Sequence, residues 1–317
     1  MYAYLIRRCA TGLLVVFGVL TLVFFSLYLT PGDPIDALIP PGRSGAAAAQ
    51  LAAQLKARYG LDKPVYEQYL IYLNHLVRLD LGRSIRTDRP VAADLADHFP
   101  ATLELASFSL MITLVVGVIT GVVSAVRRNG LLDGVVTVLA LGGVSLPGFL
   151  LGLLLILLFS LKFPLLPPAG RGATFFSWDG LSHIILPSIT LALQSTGLLT
   201  RLVRSAVLDV LQEDYIRTAR AKGLAERTVI FRHALRNAMI PVVTVFGLQF
   251  AGLLGGAVVT ETVFAWPGVG RYLLLALVGK DFAAVQAGVI LVSLSFVTVN
   301  ILVDLCYAVL DPRVSYQ

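Results

Sequence analysis

The chain has 317 residues, of which 57% are hydrophobic and 14% charged, with a mean hydropathy of +0.82 and a net charge of +6. A soluble domain carries about 25% charged residues, so a large soluble domain is excluded and the sequence reads as a polytopic membrane protein. The cationic excess is then a topology signal rather than a nucleic-acid signal, and Cys9 and Cys306 are too far apart to suggest a disulfide framework or a metal site.

Taken in order, apolar runs of the length a bilayer requires predict six helical spans. The first is Thr11 to Leu29, behind the basic start Arg7-Arg8, and it is expected to stay uncleaved because no small-residue cleavage site follows it. The others are Leu103 to Val126, Val135 to Leu161, Ile184 to about Leu202, Ala238 to Val259 and Ala284 to Val309. Arg7-Arg8, Arg127-Arg128 and the arginines after span four place those ends, and both termini, in the cytoplasm. The chain thus divides into residues 1–30 with the first span, an extracytoplasmic segment at 31–100, and a five-helix core at 101–317 with a cytoplasmic loop at 206–237.

The outer segment opens on the turn cluster Thr30-Pro31-Gly32-Asp33-Pro34, and residues 42–49 are small and flexible in composition. Leu55, Tyr59, Tyr66, Tyr69, Leu70, Leu73 and Leu76 then recur at helical spacing, predicting two or three short helices with a boundary at Pro64. Two readings are open for this segment, a module that receives a soluble partner and a structural cap over the spans.

Glu213 to Pro241 lies between two apolar runs and is dense in charge. Arg217, Arg220, Lys222, Arg227, Arg232 and Arg236 stand against Glu213, Asp214 and Glu226, a density that hydrocarbon does not admit. Apolar residues at helical spacing, interrupted at Gly223, predict a short helix, a glycine turn and a second amphipathic piece leading into span five. The run Tyr215-Ile-Arg217-Thr218-Ala219-Arg220-Ala221-Lys222-Gly223-Leu224, followed by His233-Ala-Leu-Arg-Asn237-Ala and Pro241, resembles the coupling loop of binding-protein-dependent ABC importer permeases of the dipeptide, oligopeptide and nickel group. The general form of that loop begins Glu-Ala-Ala; Arg217, Thr218 and Ala219 stand there instead, a departure common in peptide-type permeases. The resemblance extends through Gly60 to Pro64, Asp80 to Ser84 (with Leu79 where the family usually has glycine), Pro100 to Leu105, Glu261 to Gly270 and Asn300 to Arg313.

The resemblance implies an all-α type I ABC importer permease fold, with a helical extracytoplasmic insertion between spans one and two. It also implies a heterodimer with a second homologous permease, two cytoplasmic ATP-binding subunits, and an extracytoplasmic substrate-binding protein, in a bacterial inner membrane. Tyr215 and the residues from Arg217 to Leu224 would couple to the ATPases, with Ala219 and Gly223 facing their groove. The cargo would be di- or oligopeptides, with nickel or glutathione as alternatives. No catalytic residue is indicated: Gly279-Lys280-Asp281 lacks the rest of a phosphate-binding loop, so ATP would be bound by the partners and this chain would need no cofactor.

Few ionisable residues fall within the spans and no internal repeat is evident, which disfavours a secondary transporter. Ser145-Leu146-Pro147-Gly148 predicts a kink in span three, and Gly247, Gly252, Gly255 and Gly256 predict close helix approach in span five. Gln194, Ser195, Gln249 and Asn300 are polar groups at membrane depth, candidates either for a polar pathway or for bonds between helices. Glu261, Phe264, Trp266, Pro267 and Gly268 are candidates for shaping its outer mouth, against the alternative of an interfacial aromatic anchor and a turn.

Overall fold

A computed structural model describes residues 2–29, 35, 46–59, 62–174 and 177–310. Thr30 to Pro34, residues 42–45, Gly60-Leu61 and Asp311-Pro312-Arg313 lie outside the described residues. The remainder folds into helices α1 (Tyr2–Leu29), α2 (Ala46–Tyr59), α3 (Val65–Val77), α4 (Val91–Val126), α5 (Leu131–Ser145), α6 (Gly148–Ile156), α7 (Trp178–Leu211), α8 (Asp214–Ala221), α9 (Glu226–Thr228), α10 (Leu235–Gly256), α11 (Val258–Val263), α12 (Val269–Val278) and α13 (Phe282–Leu310). Wider π-helical turns extend α6 over Leu157–Lys162 and lead into α10 over Val229–Ala234.

Four helices are long and apolar enough to cross a membrane unbroken: α1, α4, α7 and α13. Two bent pairs bring the number among the described residues to as many as six, if each pair is one broken span. Leu131–Gly143 and Gly148–Lys162 meet at 102°, and Glu226–Met239 and Pro241–Gly255 at 53°. Proline stands at each break, where it withholds a backbone donor and crowds the preceding turn. The expected kink in span three is therefore a full break, with Leu146 extended between two helix ends.

Helix α4 begins twelve residues before the expected start of span two and runs through Pro100. Asp94 and Thr102 in this added stretch are buried and hydrogen-bonded, and His98 is half-buried and hydrogen-bonded too, which holds the helix together across the missing donor. Helix α7 also exceeds the expected span at both ends. Its 34 residues measure about 51 Å against a hydrocarbon core of about 30 Å.

α4 and α7 run side by side in the same direction. A β-carbon at Gly117 would stand 2.9 Å from Leu199, and one at Gly121 2.6 Å from Val203, so both glycines permit the approach. In α10, Gly247 and Gly255 lie against Val303 and Val292 of α13, whereas Gly252 faces open space. The parallel course of α4 and α7 defines two ends of the molecule. One carries the N-terminus of α4 together with α11 and α12; the other, roughly 50 Å away, carries α8.

Candidate functional site

At the α8 end the chain leaves α7 at Leu211 and turns at once into α8, eight residues long. Ile216 and Ala219, three residues apart, form its buried face and pack with Val229 and Ala234 against Val210 and Leu211. Tyr215, Arg217, Thr218, Arg220, Ala221, Lys222, Gly223 and Leu224 are exposed. The expectation that Ala219 faces outward is thus corrected. The i, i+3 spacing puts it beside Ile216, and both seal α8 onto its own chain.

Gly223 ends this helix. Its φ is +76°, its N–H donates to Arg220 O (2.9 Å), and the next N–H, of Leu224, reaches Ala219 O at 3.4 Å. That is the Schellman pattern, whose left-handed residue is usually glycine. Nothing lies within 4 Å of where a Gly223 β-carbon would be, so the position is conformationally demanding but sterically open. Two ties brace the turn. Arg220 donates twice to Glu226, at 3.1 and 2.7 Å, and Asn237 Nδ2 donates to Tyr215 Oη at 2.7 Å.

At the other end, Glu261 is fully buried, as are Phe264 and Trp266. The carboxylate accepts from Thr102 Oγ1 (2.7 Å) on α4 and from Arg271 N (2.8 Å) at the start of α12. Burial pushes its pKa up, against the pull of the Arg271, Thr102 and Gly270 donors. Gly268 and Gly270 make room for it: a β-carbon at Gly268 would collide with both Glu261 oxygens. Trp266 Nε1 donates to Ala101 O (2.8 Å), Val269 N to Thr102 Oγ1 (2.8 Å), and His98 Nδ1 to Pro267 O (2.9 Å). The segment Glu261 to Gly270 is therefore a cradle closed around one carboxylate and clamped to α4. Its aromatic residues face the interior of the chain rather than a membrane interface.

A second tie lies nearby. Asp281 caps α13 through Ala284 N (3.2 Å) and accepts from Ser84 Oγ at 2.5 Å, holding the 80–90 loop to the α12–α13 corner. An aspartate just ahead of a long apolar run is a helix-start signal; Thr102 and Ser84 carry no such mark.

The remaining polar candidates lie on α7, α10 and α13. Gln194 lies against Gly148 at the break in span three, 2.7 Å from where a β-carbon would be. Both polar atoms of the Gln249 side chain are buried without a hydrogen-bond partner, and Asn300 is half-buried on α13. Among the described residues no cluster of three metal-ligating side chains occurs.

The family described as binding-protein-dependent transport system inner membrane component matches residues 117–316, and its N-terminal counterpart matches residues 1–106. The chain is 40% identical to the di/tripeptide transport system permease protein DppB of Pseudomonas aeruginosa and 41% identical to the glutathione transport system permease protein GsiC of Escherichia coli, over the full length of each. It is 42% identical to the probable D,D-dipeptide transport system permease protein DdpB of Escherichia coli, covering 99% of this chain and 97% of that one. Among solved structures, the inward-facing MetNI methionine ABC transporter superposes with a TM-score of 0.59 at 18% identity, over 70% of this chain and 98% of its own, a likeness of fold. The chain belongs to the inner-membrane permease components of binding-protein-dependent ABC transport systems.

Proposed function

We propose that this permease forms half of a translocation pathway for di- and oligopeptides, the other half coming from a second, related permease. The observation that carries the reading is the α8 turn: a helix sealed to its own chain along Ile216 and Ala219, with an exposed edge of Tyr215, Arg217, Thr218, Arg220, Lys222 and Leu224 ending at an open glycine. Such an edge suits a protein groove. Two ATP-binding subunits dock there on the cytoplasmic side, bind the ATP, and transmit their closure through α8, while a binding protein delivers cargo at the Glu261 end. This chain hydrolyses nothing. The cargo class follows from relatives named for di- and tripeptides and D,D-dipeptides. Glutathione is the second reading, favoured by the glutathione permease at 41% identity.

The test is the complete complex in vesicles, supplied with labelled dialanine, ATP and the binding protein, with glutathione and nickel as competitors. Dialanine uptake that needs ATP and resists both competitors is expected. Displacement by glutathione selects the second reading, and uptake without ATP overturns both. Orientation is checked in a Cys9→Ser, Cys306→Ser background. A cysteine at Val77 should react with an impermeant reagent from outside, and one at Ala225 only after the membrane is opened.

A further inference from the structure

Arg204 and Asp133 form a fork between α7 and α5. Arg204 Nε donates to Asp133 Oδ1 at 2.9 Å and Nη2 to Oδ2 at 2.8 Å. The Asp133 side chain is 8% exposed and that of Arg204 30%. The same carboxylate accepts from Ser124 Oγ on α4 and from Asn129 N (2.9 Å) in the α4–α5 turn. Four donors from three segments thus converge on one acid. A buried ion pair of this kind is poor evidence for stability, since desolvation offsets most of its attraction. Its geometric effect is definite: the first turn of α5 is fixed to α7.

Ten residues further along α5 the two helices meet again. A β-carbon at Gly143 would stand 3.0 Å from Leu193 O, and just past the break one at Gly148, the first residue of α6, would stand 2.7 Å from Gln194 Nε2. Asp133 to Gly143 on α5 and Arg204 to Leu193 on α7 cover matching lengths, about 15 Å each, in opposite directions. α5 is therefore held to α7 at both ends, by the ion pair at one and by backbone packing at the 102° break at the other. α7 in turn runs without interruption from Arg204 to Leu211, the residue that α8 packs against.

We propose that Asp133 and Arg204 are positioning residues for transport: they make α5 an extension of α7, so that displacement of α8 reaches the Leu146–Pro147 break as one rigid movement. This rests on the reading of α8 as the ATPase dock. Without the fork, α7 still moves with α8, but α5 slips against it and the break does not follow.

The experiment uses the whole complex in vesicles and measures two quantities, ATP hydrolysis stimulated by the binding protein and dialanine imported per ATP. Asp133→Asn and Arg204→Gln are expected to co-purify with the ATPases and retain stimulated hydrolysis. Dialanine per ATP should fall roughly tenfold, within the range expected for residues along a coupling element. Arg204→Lys, a point charge that cannot form the fork, should fall between. Arg201→Gln removes an exposed charge one turn away and should keep the parental ratio. An unchanged ratio in both Asp133→Asn and Arg204→Gln overturns the proposal. So does an equal fall in Arg201→Gln, or loss of assembly in all three fork variants including Arg204→Lys, which would make the fork merely structural. Failure of the docking reading is seen separately, as parental complex without stimulated hydrolysis.

Discussion

Gly268 and Gly223 sit at opposite ends of the molecule and are glycine for opposite reasons. Gly268 has an ordinary extended backbone (φ −95°) that any residue adopts, but no room, because the Glu261 carboxylate occupies the place of its β-carbon. Gly223 has unlimited room and a left-handed backbone. The first end is closed: both Glu261 oxygens, the Trp266 indole and Val269 N all find partners within the chain. The second end presents charge and backbone outward around a small buried seam of its own. A region that satisfies itself is a scaffold, whereas the open turn at Gly223 is the surface that the proposed ATPase docking would cover.

The sharpest way to break this contrast is to substitute both glycines by alanine. Gly268→Ala should cost about 3 kcal/mol, the upper end for overpacking a filled site, because the cradle cannot close around Glu261. Gly223→Ala should cost only about 1 kcal/mol of backbone strain. Thermal unfolding of the purified chain in detergent ranks the two, and equal losses would mean that the ends do not differ in packing.

Glu261→Gln sharpens the scaffold side. The amide keeps the size but turns one acceptor into a donor that faces a donor, at about 1–3 kcal/mol. Because burial raises the Glu261 pKa, the folded chain holds its proton more tightly than the unfolded chain does. This contribution is therefore fully present below the ordinary carboxylate value and is lost as pH rises through the raised one. Parental stability should decline over that window and the glutamine variant should not; parallel pH profiles would contradict the burial argument.

On the open side, Ala219→Arg and Ala221→Arg separate the two faces of α8. The first forces a guanidinium into the Ile216–Val229 seam and should loosen α8, read as faster proteolysis between α7 and α10 in the isolated permease, at about 1–2 kcal/mol. The second lies on the exposed edge and should leave proteolysis unchanged while preventing co-purification with the ATPases. Equal proteolysis in both would show that α8 has no inward face.

How far these features can be read from sequence depends on the signal each one leaves. Six apolar runs, the break at Pro147 and the turn at Gly223 are legible because length, proline and glycine each mark one physical event. The inward face of Ala219 is not, since two faces of a charged eight-residue helix carry too few apolar residues to rank. The Glu261 cradle is legible as a motif and opaque as a structure: Thr102 and Ala101, which complete it, lie about 160 residues away in sequence. Asp133 is one acid near a helix start until Arg204 is brought to it.

The smallest effect concerns the same left-handed turn where glycine is absent. The Schellman pattern of Gly223 recurs at Leu79, Ala265 and Lys280, with φ of 59°, 49° and 54°. At the end of α3, Leu79 N donates to Leu76 O and Asp80 N to His75 O, both at 2.9 Å, so the turn keeps its bonds in spite of the leucine. The leucine therefore leaves the turn intact and adds strain to it. An L-residue in this conformation costs about 1–2 kcal/mol, whereas glycine gives back about 0.5–1 kcal/mol through its freer unfolded chain. Leu79 is 86% exposed, so its side chain contributes little packing to set against the relief. Leu79→Gly should then stabilise the purified permease by about 0.5–1 kcal/mol, a rise in Tm of roughly 1–2 °C for a chain of this size, with dialanine uptake unchanged. A fall in Tm would show that the Leu79 side chain makes contacts within the permease that outweigh the strain of its left-handed backbone.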